Sequence, residues 1–284
     1  MFQYKTLDNI EIEVLQKAFV EAFSDYQIKF DIPMWKFKAM LQRRGYAPSI
    51  SVGAFKGEIL VGFVLNGIRD WNGKSTAYDL GTGVVSEYRK QGITSNLLTY
   101  LKDLLKAKGI EQYLLEVLQT NTTAFQLYKK QGFEVVREFA CYQIDKSLYH
   151  PRVTYRVESV DRFGEAEWEM IASFWDYMPS WQNSADSVNA LAEAFRYSVV
   201  RVDGSIVGYG IIDKRTGDIA QLAVDKRYRH RGIARSIITD LMDNTEGEKG
   251  VVLNIDGRDD GMKSFFLDAG FVNTVDQYEM LLRL

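Results

Sequence analysis

Thiol and imidazole chemistry is nearly absent from this sequence. One cysteine, Cys141, excludes a disulfide framework. Two histidines, His150 and His230, leave too little for a Cys/His zinc cluster or for an imidazole-activated Ser or Cys nucleophile, so no metal is expected. No run approaches the roughly 20 apolar residues needed to cross a bilayer. The N-terminal Met1-Phe2-Gln3-Tyr4-Lys5 lacks a basic segment ahead of an apolar signal core. The expectation is a cytoplasmic protein with no membrane partner. A formal net charge of -3 supplies no basic field for a phosphate backbone, so nucleic acid is not expected either. What is present is an ordinary globular composition, 46% hydrophobic and 26% charged, over 284 residues, a length that suits two domains.

An internal repeat organises the chain. Val84-Val85-Ser86-Glu87-Tyr88-Arg89-Lys90-Gln91-Gly92-Ile93-Thr94 returns as Val224-Asp225-Lys226-Arg227-Tyr228-Arg229-His230-Arg231-Gly232-Ile233-Ala234, an offset of 140 residues. Downstream, Gly132-Phe133 returns as Gly270-Phe271 at an offset of 138, so the copies stay nearly in register. Each copy reads as strand, one or two helices, three strands, helix, strand, helix, strand. Strands at 51–55 and 59–68 flank Lys56-Gly57, and strands at 197–202 and 206–212 flank Asp203-Gly204, so both pairs are predicted hairpins. Strands are then expected at 78–85, 112–117 and 218–224. Ile93, Leu97, Leu98, Leu101, Leu104 and Leu105 follow a helical period, which Ile233, Ile237, Ile238 and Leu241 repeat. Pro151, in the connector Leu148-Tyr149-His150-Pro151, marks a boundary that gives domains 1–149 and 150–284, with a new strand near Thr154.

The repeated turn carries chemistry. At a strand-to-helix junction, Gly92 or Gly232 lets the backbone approach a ligand while the unpaired N–H groups of the first helical turn point outward, forming an anion cradle. Arg89 and Lys90, with Arg229, His230 and Arg231 in the second copy, add positive charge suited to a polyphosphate. The spacing fits neither a P-loop nor a dinucleotide fingerprint.

Taken in order, Val84, Arg89 to Thr94, Glu116-Val117, Asn121, Ala124, Leu127-Tyr128 and Gly132-Phe133 resemble the GNAT acetyltransferase superfamily. The second copy shows a cleaner turn, Arg229-x-x-Gly232-x-Ala234, and degraded later elements, with Phe266 where the first has Tyr128. The resemblance implies an α/β fold class: two tandem domains, each a mostly antiparallel mixed sheet whose central parallel strands splay apart. It implies acetyl-CoA in that splay, its pyrophosphate on Arg89, Lys90, Gln91, Gly92, Ile93, Thr94 and Ser95, with Val84, Val85 and Asn121 beside it. A second cradle would comprise Val224, Arg229, His230, Arg231, Gly232, Ile233, Ala234 and Arg235. By the same resemblance the reaction is direct attack of a primary amine on the thioester, with Tyr128 as the acid that protonates the leaving thiolate. The base stays open among Glu116, Asp79 and water. Tyr26, Phe30, Trp35 and Asp79 are candidates for holding a small-molecule or peptide amine, with Asp25 and Asp31 adding charge for a cation. Domain 1–149 is the expected catalyst, and 150–284 a degenerate or secondary acyl-CoA site. A non-catalytic acyl-CoA sensor is the alternative. Monomer and homodimer stay open.

Overall fold

The computed structural model describes residues 1–25 and 32–284. Compactness divides the chain into unit 1, residues 1–136 and 278–284, and unit 2, residues 137–277.

The first unit begins with β1 (Gln3–Thr6), α1 (Ile12–Ala22) and α2 (Met34–Arg43), followed by β2 (Val52–Lys56), β3 (Ile59–Asp70) and β4 (Ser75–Val84). Then come α3 (Ile93–Ala107), β5 (Gln112–Leu118), α4 (Thr122–Lys130) and β6 (Glu134–Asp145), the last of which leads into unit 2. β1 to β4 are antiparallel neighbours in chain order, and β4 pairs with β5 in parallel. The helical period predicted for α3 is observed: Ile93, Leu97, Leu98, Leu101 and Leu105 are buried in one cluster with Val61, Val64, Tyr113 and Phe133. Each such aliphatic side chain contributes about 1.5–3 kcal/mol on burial, which fixes α3 against the sheet and aims its N-terminus at the end of β4.

Unit 2 repeats the plan with β7 (Glu158–Val160), α5 (Glu165–Ala172), α6 (Ala185–Asn189), β8 (Phe195–Val202), β9 (Ser205–Asp213) and β10 (Ile219–Val224). It continues with α7 (Ile233–Asp243), β11 (Lys249–Asp256), α8 (Asp260–Asp268) and β12 (Val272–Arg283). The β8–β9 hairpin turns through Asp203 (φ 50°) and Gly204 (φ 79°), both left-handed, as a type I′ turn requires. α7 lies so close to β9 that a β-carbon on Gly210 would come within 2.6 Å of Ile237.

One expectation differs from what is seen. The strand expected near Thr154 begins at Glu158, because the N–H groups of Thr154 and Tyr155 donate instead to Ser236 Oγ at 2.9 and 3.1 Å. Side-chain acceptors on α7 take the place of a ladder. In the division by compactness the chain leaves unit 1 inside β6, and the end of β12 belongs to unit 1.

Candidate functional site

Each copy of the repeated turn is built the same way. After a single 3-10 turn, Lys90 (φ 61°) and Gly92 (φ 77°) adopt left-handed conformations, as do His230 (φ 60°) and Gly232 (φ 86°). Gly92 and Gly232 are the N-caps of α3 and α7, neither with a side-chain cap, and the first helical bonds are Asn96 N–H to Gly92 O and Ser236 N–H to Gly232 O. The amides of residues 93–95 and 233–235 therefore precede the intrahelical ladder and have no partner within it, an arrangement of the kind that suits an anion. Ile93 and Ile233 contribute only backbone, since their side chains are core. Lys90, Gln91, His230 and Arg231 are exposed, while Thr94, Ser95 and Ala234 are half-buried.

The arginines act otherwise than their charge suggests. Arg89 donates from Nε to Val84 O at 3.1 Å, from Nη2 to Ala22 O at 2.8 Å, and from Nη1 and Nη2 to Asp25 at 2.6 and 2.8 Å. Arg229 repeats this with Val224 O at 3.0 Å, Phe174 O at 2.7 Å and Asp176 at 2.6 Å. Both guanidinium groups brace the turn against the helical layer. Asp25, a candidate for the amine slot, is spent on this brace. Its carboxyl is held below its ordinary range chiefly by the Arg89 hydrogen bond. Arg235, in the first turn of α7, donates to Asp268 O at 3.1 Å. Backbone at the strand ends is also engaged: Val85 N–H donates to Val61 O at 3.0 Å.

Between β4 and β5 the parallel ladder covers Thr76↔Gln112, Ala77↔Tyr113 and Tyr78↔Leu114. In β4 the register against β3 slips at Leu80, a bulge that turns the strand as the two parallel strands diverge. Asp79, the first residue past the ladder, is buried. Its Oδ1 accepts the Gly81 N–H at 2.8 Å, and its Oδ2 accepts the hydroxyls of Thr82 at 2.6 Å and Tyr128 at 3.5 Å. Burial pushes its carboxyl up to about 6, against the pull of those hydrogen bonds. Tyr128, on α4, is buried edge-to-face with Phe133 at 5.6 Å, and Tyr113 donates to Asn66 Oδ1 at 2.8 Å nearby. The half-buried Glu116 hydrogen-bonds Tyr78, whose phenol is raised first by burial and then by the Glu116 charge. Asn121 caps α4 by accepting the Ala124 N–H at 3.1 Å.

Unit 2 has the same apex without the polar groups. A bridge joins Asp218 to Val251, the register slips at Ala220, and the residue equivalent to Asp79 is Ile219. Ile219 lies in one apolar cluster with Phe266, the counterpart of Tyr128. Phe266 meets Phe271 edge-to-face at 5.0 Å, as Tyr128 meets Phe133. Asn254, in the position of Glu116 by the 138-residue offset that relates Gly132 to Gly270, is buried with φ 63° and accepts from Gln277 at 2.8 Å. A cleft of about 1040 Å³ opens between β10 and β11, lined by the α7 turn, Ile219, Asn254 and Phe266. On its other wall Trp175 donates to the Tyr209 hydroxyl at 2.5 Å, which donates to Gln221 at 2.7 Å.

Of the amine-binding candidates, Tyr26 and Phe30 lie outside the described residues, as does Asp31. Trp35 is 40% exposed at the start of α2, and Asp79 faces Tyr128. The pairing of Asp79 with Tyr128 was not read from the sequence. Extending the 140-residue offset back from Arg89 and Arg229 would have matched Asp79 to Ile219 and marked the loss. Among the described residues no cluster of three His, Cys, Asp or Glu side chains suits a metal, and no helix is long and apolar enough to cross a membrane.

Comparison with known proteins adds independent findings. Residues 13–133 match the family described as "Acetyltransferase (GNAT) family", and residues 164–280 match "Acetyltransferase (GNAT) domain". The chain is similar to "GCN5-related N-acetyltransferase 6, chloroplastic" of Arabidopsis thaliana, 32% identical over 66 residues, 23% of this chain and 23% of that protein. It is 25% identical over 122 residues to "N-alpha-acetyltransferase 30" of Schizosaccharomyces pombe, 43% of this chain and 73% of that one. Thus it spans under a quarter of the first relative's length. Among solved structures, a tandem GNAT protein from the clavulanic acid biosynthesis pathway superposes with a TM-score of 0.74 at 14% identity, covering 100% of this chain and 98% of that one. A GCN5-related N-acetyltransferase from Sphaerobacter thermophilus gives 0.73 at 14%, covering 99% and 95%.

Proposed function

Because the chain belongs to the GNAT acetyltransferase family, with two of its domains in tandem, we propose that it transfers an acetyl group from acetyl-CoA to a primary amine and that unit 1 carries the reaction. The family as a whole consists of acyl-CoA-dependent N-acetyltransferases. The observation that carries the assignment to unit 1 is the Tyr128 hydroxyl beside the Asp79 carboxylate at the apex of the splayed strands, where unit 2 has Phe266 and Ile219.

The residues present fit the donor: the uncapped amides at 93–95 suit a pyrophosphate, and the splay past Tyr78↔Leu114 leaves strand edges for the pantetheine. As the amine nitrogen bonds to the carbonyl carbon and the C–S bond breaks, Tyr128 gives its proton to the departing sulfur. Glu116, on the diverging part of β5, is the proposed acceptor of the amine proton. The attack is direct, with no covalent enzyme intermediate. The amine is a small molecule or a peptide amino group, and the protein is proposed to work in the cytoplasm. Unit 2 keeps the cradle and the cleft with an apolar apex, which supports acyl-CoA binding without turnover.

Thiol release from acetyl-CoA across an amine panel tests this. Tyr128→Phe is expected to lower kcat by about 10²-fold or more, and substitution of Gly232 to leave it within a few-fold. Loss of turnover with Gly232 and not with Tyr128 would assign the chemistry to unit 2. A native mass spectrum counting bound CoA per chain tests the two cradles separately.

A further inference from the structure

The reaction scheme uses the Tyr128 hydroxyl and leaves the buried carboxylate beside it without a part. Asp79 has a defined orientation. Both oxygens are engaged: Oδ1 by the Gly81 amide, Oδ2 by the hydroxyls of Thr82 and Tyr128. These bonds run to its own bulge and to α4. A residue that held the acceptor amine would need an oxygen turned outward.

We infer that Asp79 is a positioning residue for Tyr128, holding the phenol at the apex and passing it a proton as the phenol releases its own, instead of contacting the acceptor amine. The inference rests on the proposed role of Tyr128. The proton balance is closed. When Oδ2 carries a proton, it donates to Tyr128 Oη, and the phenolic hydrogen is free to point at the sulfur. As the C–S bond breaks, sulfur takes the hydrogen from Oη and Oη takes the one from Oδ2, leaving a carboxylate. Glu116 takes the proton that the amine nitrogen loses and releases it to solvent, and a proton from solvent restores Asp79. An ionised Asp79 would instead set two negative charges side by side in a buried site once Tyr128 gave up its proton.

Two further observations support the pairing. Unit 2 lacks both members together, with Ile219 and Phe266 in their places, and Ile212 stands across the ladder from Ile219 as Asn66 stands across from Asp79. This is the pattern of two groups that work as one. The surroundings also favour a shared proton. The groups acting on Asp79 are Tyr128 from α4, Tyr113 from β5, Tyr78 from its own strand and Arg44 beyond the end of α2. Burial outweighs them and raises the carboxyl to about 6. About a tenth of the molecules then hold the proton at pH 7 before any ligand excludes water, and more once it does.

A double-mutant cycle tests the inference on the full chain, with kcat for thiol release as the readout. Asp79→Asn is expected to lower kcat about tenfold in the wild-type background and less than twofold in the Tyr128→Phe background, because groups acting as a unit are non-additive. The wild-type profile of kcat against pH should show a limb at or above about pH 6, on which activity falls as pH rises, and Asp79→Asn should lack it. Asp79→Ile, which copies unit 2, serves as a second variant and should give the same dependence on background. Losses that multiply in the double variant would overturn the inference while leaving Tyr128 as the acid. So would a limb of the opposite slope that Asp79→Asn removes, which would make Asp79 the base. A Tyr128→Phe variant with undiminished kcat would instead overturn the proposed function itself.

Discussion

The buried carboxylate at the strand apex should cost unit 1 stability at neutral pH, and removing its charge should return it. Asp79 has an ordinary value of 3.8 and is raised to about 6 in the fold. The folded chain therefore holds a proton between these values that the unfolded chain has lost, so stability falls as pH rises through that window and the full cost is present above it. A shift of about two units corresponds to about 3 kcal/mol, of which about 2 kcal/mol develops between pH 4.5 and 7.5. Asn at this position cannot ionise and keeps its partners: its oxygen accepts the Gly81 N–H, and its amide donates to Thr82 and Tyr128 in place of accepting from them. Asp79→Asn should thus unfold like wild type near pH 4 and grow more stable than wild type as pH rises. At about 2–4 °C per kcal/mol, its thermal midpoint should exceed wild type by several degrees at pH 7.5. Urea titrations followed by circular dichroism at a series of pH values give the difference directly. Parallel stability curves for the two proteins across pH 4.5–7.5 would refute the burial argument. The same substitution is expected to gain stability and lose turnover, the usual relation at a working site.

Other outcomes follow from the turns. Gly92→Ala places a methyl in open space at φ 77°, costing about 1 kcal/mol net for the left-handed conformation; calorimetry should show a small loss, and binding of acetyl-CoA by unit 1 should weaken by about tenfold if the cradle holds phosphate. Arg89→Met removes the bonds to Ala22 O and Val84 O and should destabilise by about 2 kcal/mol, read as a lower thermal midpoint with a smaller effect on KM for acetyl-CoA than Gly92→Ala has. Ser236→Ala strips the acceptor from the amides of Thr154 and Tyr155, costing about 2 kcal/mol, and hydrogen exchange at those two amides should speed up while that of β9 stays slow.

The parts of the fold legible in the sequence are those encoded locally. The apolar period of α3 and α7, the left-handed Asp203-Gly204 turn and the repeated cradle each depend on residues within a few positions of one another. The motif that singles out Tyr128 is contiguous, whereas its neighbour Asp79 is 49 residues away. The role of Arg89 was not legible, because its partner Asp25 is 64 residues away and a guanidinium beside a phosphate turn reads equally well as a ligand or as a brace. Asp79 was visible as a polar residue, but its orientation is set by the bulge at Leu80, which no local pattern announces. The extended connector before β7 escaped for a related reason: its amides are satisfied by Ser236 and Thr239, more than 80 residues downstream.

One feature of the first unit bears on how the protein is made. Its final residues, Tyr278 to Leu284, lie beyond the whole of unit 2 in the chain, yet Leu284 N–H bonds Glu111 O at 3.0 Å and the Tyr278 ring packs on Phe125 at 5.0 Å. At about 5–20 residues per second, a ribosome that has completed β6 needs on the order of 10 s or more to deliver them. β12 is the neighbour of β5 on the side away from β4, so through that interval the proposed catalytic half waits on the nascent chain with that edge of β5 uncovered, and chaperone occupancy should be greatest then. Splitting the gene at residue 149 would make the wait permanent for the first fragment, whereas adding the 278–284 peptide in trans should complete it.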